Sequence, residues 1–183
     1  MTSKKIIILD RDGVINQESD LYVKSADEWI PIPGSLEAIA RLSKAGYSIY
    51  VATNQAGVGR EVFTLKSLEE IHKKMRHEIN ALGGSLEEVF FCPHSPEENC
   101  ECRKPKPGLL FLVANACNGN LKGVPFVGDS LRDMQAALVA GASPVLVRTG
   151  FGEITKDLSG FPGNIPIFAD LATYVEDLLC DQD

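Results

Sequence analysis

An α/β fold with a parallel sheet flanked by helices is what this chain predicts, on three observations. Short apolar runs alternate with amphipathic segments along most of the 183 residues. Glycines stand just after the amphipathic segments, where a helix ends in a left-handed residue. Polar clusters follow the apolar runs, at the strand ends where open parallel sheets place their ligands. One domain spanning 1–183 is expected, because 44% hydrophobic and 23% charged residues at this length suit a single buried core.

Strands are expected at 5–9, 48–52, 87–91, 124–127 and 144–147, each a short apolar run. Helices are expected at 34–45, 64–82, 107–117, 130–140 and near 170–180. In the second, Leu65, Leu68, Ile71, Met75 and Ile79 recur at helical spacing with charges on the other face. Gly46, Gly83, Gly119 and Gly141 would close the first four helices. The stretch 149–166, rich in Gly, Thr and Pro, reads as a long surface loop, and residues 181–183 are expected to fray.

The net charge of -7 excludes a general nucleic-acid or anionic-membrane surface, which needs clustered Lys and Arg. A phosphorylated small molecule, held by a few local cations, stays open. No apolar run approaches the ~20 residues of a membrane span. Met1–Lys5 leads directly into an apolar run too short for a signal-peptide core, so a cytoplasmic chain is expected. It is also expected to be a monomer.

The polar clusters carry the chemistry. Asp10 and Asp12 end the first strand ahead of Gly13; Thr53-Asn54-Gln55 follow the second; Arg103-Lys104 precede a helix; Gly128-Asp129 follow the fourth strand, with Asp133 four residues on. An isolated Asp-x-Asp is most often a turn and a helix cap. Three acids, a hydroxyl and a lysine on several strand ends suit phosphoryl transfer instead. A carboxylate can attack phosphorus, dividing one hard step into two. Two anions approach only if a hard cation such as Mg²⁺ bridges them, and Lys and Thr can hold the phosphoryl oxygens.

A second cluster, Cys92-Pro93-His94 and Cys100-Glu101-Cys102, offers three thiolates and an imidazole, a closed tetrahedral Zn²⁺ set. The plain alternative is a solvated loop with free thiols. Such a loop would aim the adjacent Arg103 and Lys104. His72 and His77 read as solvent-facing or rim residues, and Cys117 and Cys180 as small core residues.

The order Asp10-Arg11-Asp12-Gly13, Thr53-Asn54-Gln55, Lys104, Gly128-Asp129 and Asp133 resembles the haloacid dehalogenase superfamily of phosphatases. The resemblance implies a Rossmann-like sheet, with Asp10 as nucleophile and Asp12 as proton donor and acceptor. Thr53 and Lys104 would be the phosphoryl ligands. Mg²⁺ would be held by Asp10, Asp129 and the Asp12 backbone carbonyl, with Asp133 orienting from behind. The 40 residues 13–52 leave no room for a large cap.

The zinc loop narrows the resemblance to the branch containing heptose-bisphosphate 7-phosphatases and histidinol-phosphate phosphatases. It implies a phosphorylated sugar substrate from activated-heptose synthesis, contacted by Arg11, Asn54, Gln55, Arg103 and either Glu18 or Asp20. Arg103 would clamp a second phosphate, or else merely cover the zinc loop. Many relatives have Lys directly after the metal-binding Asp, where this chain has Ser130. Arg132, two residues further along the helix, is not expected to face the same way. Histidinol phosphate, or a zinc-stabilised binding module without turnover, are the competing readings.

Overall fold

The strands are β1 (Lys5–Leu9), β2 (Tyr47–Asn54), β3 (Glu88–Cys92), β4 (Pro125–Gly128), β5 (Ser143–Val147) and β6 (Ile167–Phe168). They form one parallel sheet in the order β3-β2-β1-β4-β5-β6 in the computed structural model, which describes residues 5–180. The expectations for the first four residues and for 181–183 lie outside the described residues.

Alternation along the strands builds two cores. Ile7, Leu9, Ile49, Val51, Val127 and Val147 face α1 (Ser35–Lys44), α3 (Leu65–Ala81) and α7 (Leu171–Cys180). Ile8, Tyr50, Ala52 and Phe126 point the other way, onto α4 (Gly108–Ala116) and α5 (Leu131–Ala140). Strands buried on both faces read as unbroken apolar runs, which is why Ile6-Ile7-Ile8-Leu9 shows no polar alternation. Each fully buried side chain of this kind contributes about 1.5–3 kcal/mol.

Chain order reverses between β1 and β4. Helices therefore leave the sheet in opposite directions there, and a crevice opens beyond the carboxyl ends of the two strands. β1 is locked to β4 by the pairing Leu9↔Val127 and by the Asp10 amide donating to the Val127 carbonyl at 2.9 Å. Asp10 and Asp129 are thereby brought to the same crevice.

Several local expectations are corrected. β2 runs through Thr53 and Asn54 instead of ending at 52. Gly46, Gly83 and Gly141 adopt the positive φ expected of them, but at the end of α4 that role falls to Asn118 (φ 53) and not to Gly119. Asparagine tolerates that conformation, which makes the following glycine dispensable. The stretch 149–166 contains a one-turn helix, α6 (Gly152–Thr155), and a similar turn, α2 (Ala56–Gly59), follows β2. Cys180 is exposed on α7, while Cys117 is partly buried against the second core. Among the described residues no helix is long and apolar enough to cross a membrane.

Candidate active site at the β1–β4 crevice

Asp10, Asp129 and Asp133 bring carboxylate oxygens within 4.8 Å of one another, and all three are buried. One cation faces them. Lys104 Nζ lies 2.9 Å from Asp10 Oδ1 and 2.6 Å from Asp133 Oδ1, and donates to the Ala52 carbonyl at 2.8 Å. Its ammonium thus makes two ion pairs and one hydrogen bond. Burial works to lower the Lys104 pKa, but Asp10 and Asp133 outweigh it and hold it above the usual value. Burial pushes the Asp10 carboxyl up to about 7, with Asp133 and Asp12 adding to the rise and Lys104 opposing it. Asp129 is raised well above its usual range, by burial first and then by Asp133 and Asp10.

Three acids against one lysine leave two negative charges uncompensated, the charge of a divalent cation. The donors fit that role unequally. Asp133 Oδ2 already accepts from the Ser130 amide at 3.0 Å and hydroxyl at 2.6 Å, and Oδ1 meets Lys104. Each of its oxygens already faces a protein group, Oδ1 by its ion pair alone, which suits an orienting role. Asp10 uses Oδ1 for Lys104 and for the Arg11 amide at 2.7 Å, and Asp129 uses Oδ2 for the Phe151 amide at 2.8 Å. The other oxygen of each is left to a ligand. An oxygen-only donor set with few carboxylates suits Mg²⁺.

Asp129 sits in a cradle that only glycine permits. A Cβ at Gly13 (φ +78) or Gly150 (φ +57) would stand 2.1 Å from Asp129 Oδ2. Thr149 Oγ1 donates to the Gly13 carbonyl, fastening the two walls together at 2.6 Å. The segment 149–151 is thus part of the site and not a surface loop. The available signal was its place directly after β5, one more strand end.

Asp12 is held by a dense set of donors. Its Oδ1 accepts from Arg11 Nε at 3.1 Å, Arg11 Nη2 at 2.8 Å and Asn16 Nδ2 at 2.9 Å. Its Oδ2 accepts from Arg11 Nη2 at 3.0 Å and Gln55 Nε2 at 2.8 Å. Burial opposes ionisation, yet the Arg11 guanidinium, Asn16 and Gln55 outweigh it and hold this carboxyl below its usual range. Gln55 also reaches Thr53 Oγ1 at 2.9 Å, joining Asp12 to the proposed phosphoryl ligand. Arg11, expected as a substrate contact, is 1% exposed with its guanidinium committed to Asp12 and Gln55. Of the two histidines expected to face solvent or a rim, His72 is half-buried with its ring turned to Arg11, and His77 is exposed.

The four zinc-ligand candidates converge. Cys92 Sγ lies 3.5 Å from Cys100 Sγ and 3.1 Å from Cys102 Sγ, and His94 Nδ1 lies 3.6 and 3.3 Å from Cys92 and Cys102. Zn–S bonds of ≈ 2.3 Å imply edges of about 3.7 Å around a tetrahedron, so these residues fit one ion with slight expansion. The loop is pinned by the Gly59 amide donating to the Pro93 carbonyl at 2.8 Å and by Glu98 Oε2 accepting from Ser95 at 2.6 Å. Directly after it, Asn54 and the Lys104 backbone exchange two hydrogen bonds of 3.0 and 3.1 Å. That exchange positions Lys104.

Two adjoining spaces result. A deep recess of about 50 Å³ is lined by Asp10, Asp12, Thr53, Lys104 and Asp129. It opens to a cavity of about 310 Å³ lined by Glu18, Asp20, Asn54, Gln55, Arg103 and Arg132. Glu18 is half-buried and borders both spaces, while Asp20 is exposed and borders the outer one alone. Burial, then the neighbouring Asp12, pushes Glu18 up to about 7. Arg132 lines both spaces, against the expectation that it would turn away. Ser130 is the residue before α5 and is not helical (φ -120, ψ 154), so helical spacing cannot be counted from it.

Comparison with known proteins agrees with this geometry. A family model described as polynucleotide kinase 3 phosphatase matches residues 5–140. A Pseudomonas putida protein named D-glycero-beta-D-manno-heptose-1,7-bisphosphate 7-phosphatase is 51% identical over 96% of this chain and 99% of its own. The crystal structure of D,D-heptose 1,7-bisphosphate phosphatase from Bordetella bronchiseptica, complexed with magnesium and phosphate, superposes with a TM-score of 0.94 at 50% identity. It covers 97% of this chain and 99% of that one. A HAD-like phosphatase structure from Mesorhizobium loti matches at 27% identity and a TM-score of 0.78, over 96% of this chain and 84% of its own.

Proposed function

The chain belongs to the D-glycero-beta-D-manno-heptose-1,7-bisphosphate 7-phosphatase family of haloacid dehalogenase-like phosphatases, and from that premise we propose how its own residues remove the 7-phosphate. The observation that carries the reading is the deep recess, where Asp10, Asp12, Thr53, Lys104 and Asp129 meet at the switch point of the sheet. All of them come from one chain, so the site is complete without a residue from a second copy.

Asp10 and Asp129 carboxylates with the Asp12 backbone carbonyl would hold Mg²⁺. The ion would supply the positive charge that lets a phosphate dianion approach a carboxylate. The Asp10 carboxylate attacks phosphorus; as that bond forms, the bond to the sugar oxygen breaks. The departing oxygen keeps the electron pair and takes a proton from Asp12, whose carboxyl, ionised in the free protein, would take that proton up as the phosphate dianion binds beside it. A water molecule then gives its proton back to Asp12 and attacks phosphorus, the Asp10–phosphorus bond breaks, and free phosphate leaves. Lys104 and Thr53 stabilise the equatorial oxygens through both steps.

The outer cavity suits the rest of the sugar. Arg103 and Arg132 at its rim would hold the 1-phosphate, a task for which guanidinium geometry is well matched. Asn54, Gln55 and Glu18 border the path between the two phosphates. Zn²⁺ on Cys92, His94, Cys100 and Cys102 would be structural, with no open position.

Phosphate release from the β-anomer of the 1,7-bisphosphate, followed with and without Mg²⁺, tests the reading. Asp10→Asn should lower kcat/KM by about 10³-fold or more, as loss of a nucleophile does. Equal rates in the two proteins would remove Asp10 from its role, and a higher kcat/KM for histidinol phosphate would overturn the substrate.

A further inference from the structure

His72 stands outside the machinery described so far, on α3, yet its ring meets the centre of the site. Its Nε2 accepts from Arg11 Nη1 at 3.3 Å, and its ring packs at a 59° tilt against Phe91 with centroids 5.8 Å apart. The guanidinium it touches is otherwise held by Asp12 and Gln55. The Nε–Nη2 edge of Arg11 grips both oxygens of Asp12, and Nη2 also reaches Gln55 Oε1 at 3.1 Å. A planar group held along one edge can still swing about that edge; a contact at Nη1, on the far corner, stops the swing. With Arg11 1% exposed, water does not replace that contact.

We propose that His72 is a positioning residue for the proton transfer: by accepting from Arg11 it fixes the guanidinium that sets the orientation of the Asp12 carboxylate. The proposal rests on the phosphatase reading above and adds to it a residue that touches neither substrate nor metal. Its action is confined to the step in which Asp12 delivers a proton to the departing oxygen. A leaving group that departs as a stabilised anion needs no such proton. The effect of His72 must therefore depend on the leaving group, which a purely structural role does not explain.

The test compares p-nitrophenyl phosphate with benzyl phosphate, two substrates of similar size whose leaving groups differ sharply in basicity. kcat/KM is the quantity to read, because it reports the first phosphoryl transfer and not the later hydrolysis common to both. For His72→Leu, kcat/KM on benzyl phosphate should fall about tenfold, a fraction of the 10²–10⁴ that a positioned acid supplies. On p-nitrophenyl phosphate it should fall less than about twofold, and inhibition by inorganic phosphate should be unchanged. His72→Gln, which restores an acceptor, should recover most of the loss. If His72→Leu does not fold, His72→Asn, whose amide stops short of Arg11, takes its place. Equal losses on both substrates, or no loss on either, would overturn the proposal while leaving the phosphatase reading intact. A wild-type protein inactive on every phosphate monoester, the heptose bisphosphate included, would instead overturn the reading beneath it.

Discussion

Lys104 shows how far a single side chain can be committed. Its ammonium meets Asp10, Asp133 and the Ala52 carbonyl in a site 2% exposed. Replacing it with methionine leaves two buried carboxylates facing each other without their cation. Removing one partner of a buried pair costs about 3–5 kcal/mol, so Lys104→Met should lose stability of that size in metal-free urea unfolding as well as activity. A stability change under about 1 kcal/mol would mean that the acids are relieved in some other way. Gly150 makes the complementary point about space. Gly150→Ala would put a methyl where Asp129 Oδ2 now lies, at a φ of +57 that L-residues rarely adopt. Calorimetric titration should find Mg²⁺ affinity weakened by about tenfold or more, since Asp129 must turn to make room. The acids, Thr53 and Lys104 were legible because each sits at a strand end or beside a cysteine motif. Gly150, Phe151 and His72 were not, because their roles depend on another segment arriving beside them, which no local pattern records.

At the scale of elements, the zinc loop acts as a bracket between β3 and α4. Cys92 is the last residue of β3, and Arg103 and Lys104 follow Cys102 directly, so one ion would fix where both cations emerge. Protein purified without added metal should contain about one zinc per chain. Stripping that metal with a strong chelator should lower Tm and, after Mg²⁺ is restored, leave kcat/KM reduced through displaced Lys104. Unchanged activity in zinc-free protein would separate the loop from catalysis. Elements of this molecule were readable in proportion to their length. The 17 residues of α3 carry nearly five turns of periodicity, and its burial at Leu68, Ile71, Met75 and Ile79 follows the spacing. The two-residue β6 and the four-residue α2 and α6 span about one period each, too short for any pattern to repeat. They exist because the sheet edge and the crevice select them, a tertiary cause with no local trace.

The molecule as a whole concentrates negative charge where water is least available, and that couples metal, proton and stability. Asp10 and Glu18, each raised to about 7, and Asp129, also raised, bind protons in the folded state that the unfolded chain has already released. Stability from these groups is therefore lost as pH rises from the ordinary carboxylate range through about 7. His72 opposes them: burial, reinforced by Arg11, lowers it to about 3, so the folded state refuses a proton that the unfolded chain takes up below its usual value of 6.5. Its contribution is lost as pH falls, and it is the same with or without Mg²⁺. The difference made by the metal isolates the acids, since Mg²⁺ binds Asp10 and Asp129 only when they are ionised. With Asp10 near 7, apparent Mg²⁺ affinity should weaken roughly 10–30-fold between about pH 7.5 and about pH 5.5. The rise in Tm on adding Mg²⁺ at fixed concentration should then be large at the higher pH and small at the lower one. Thermal scans at both pH values, with and without the ion, read this directly. An increment as large at about pH 5.5 would mean that the metal is not competing with protons for these carboxylates, and the cluster would lose its place as the magnesium site.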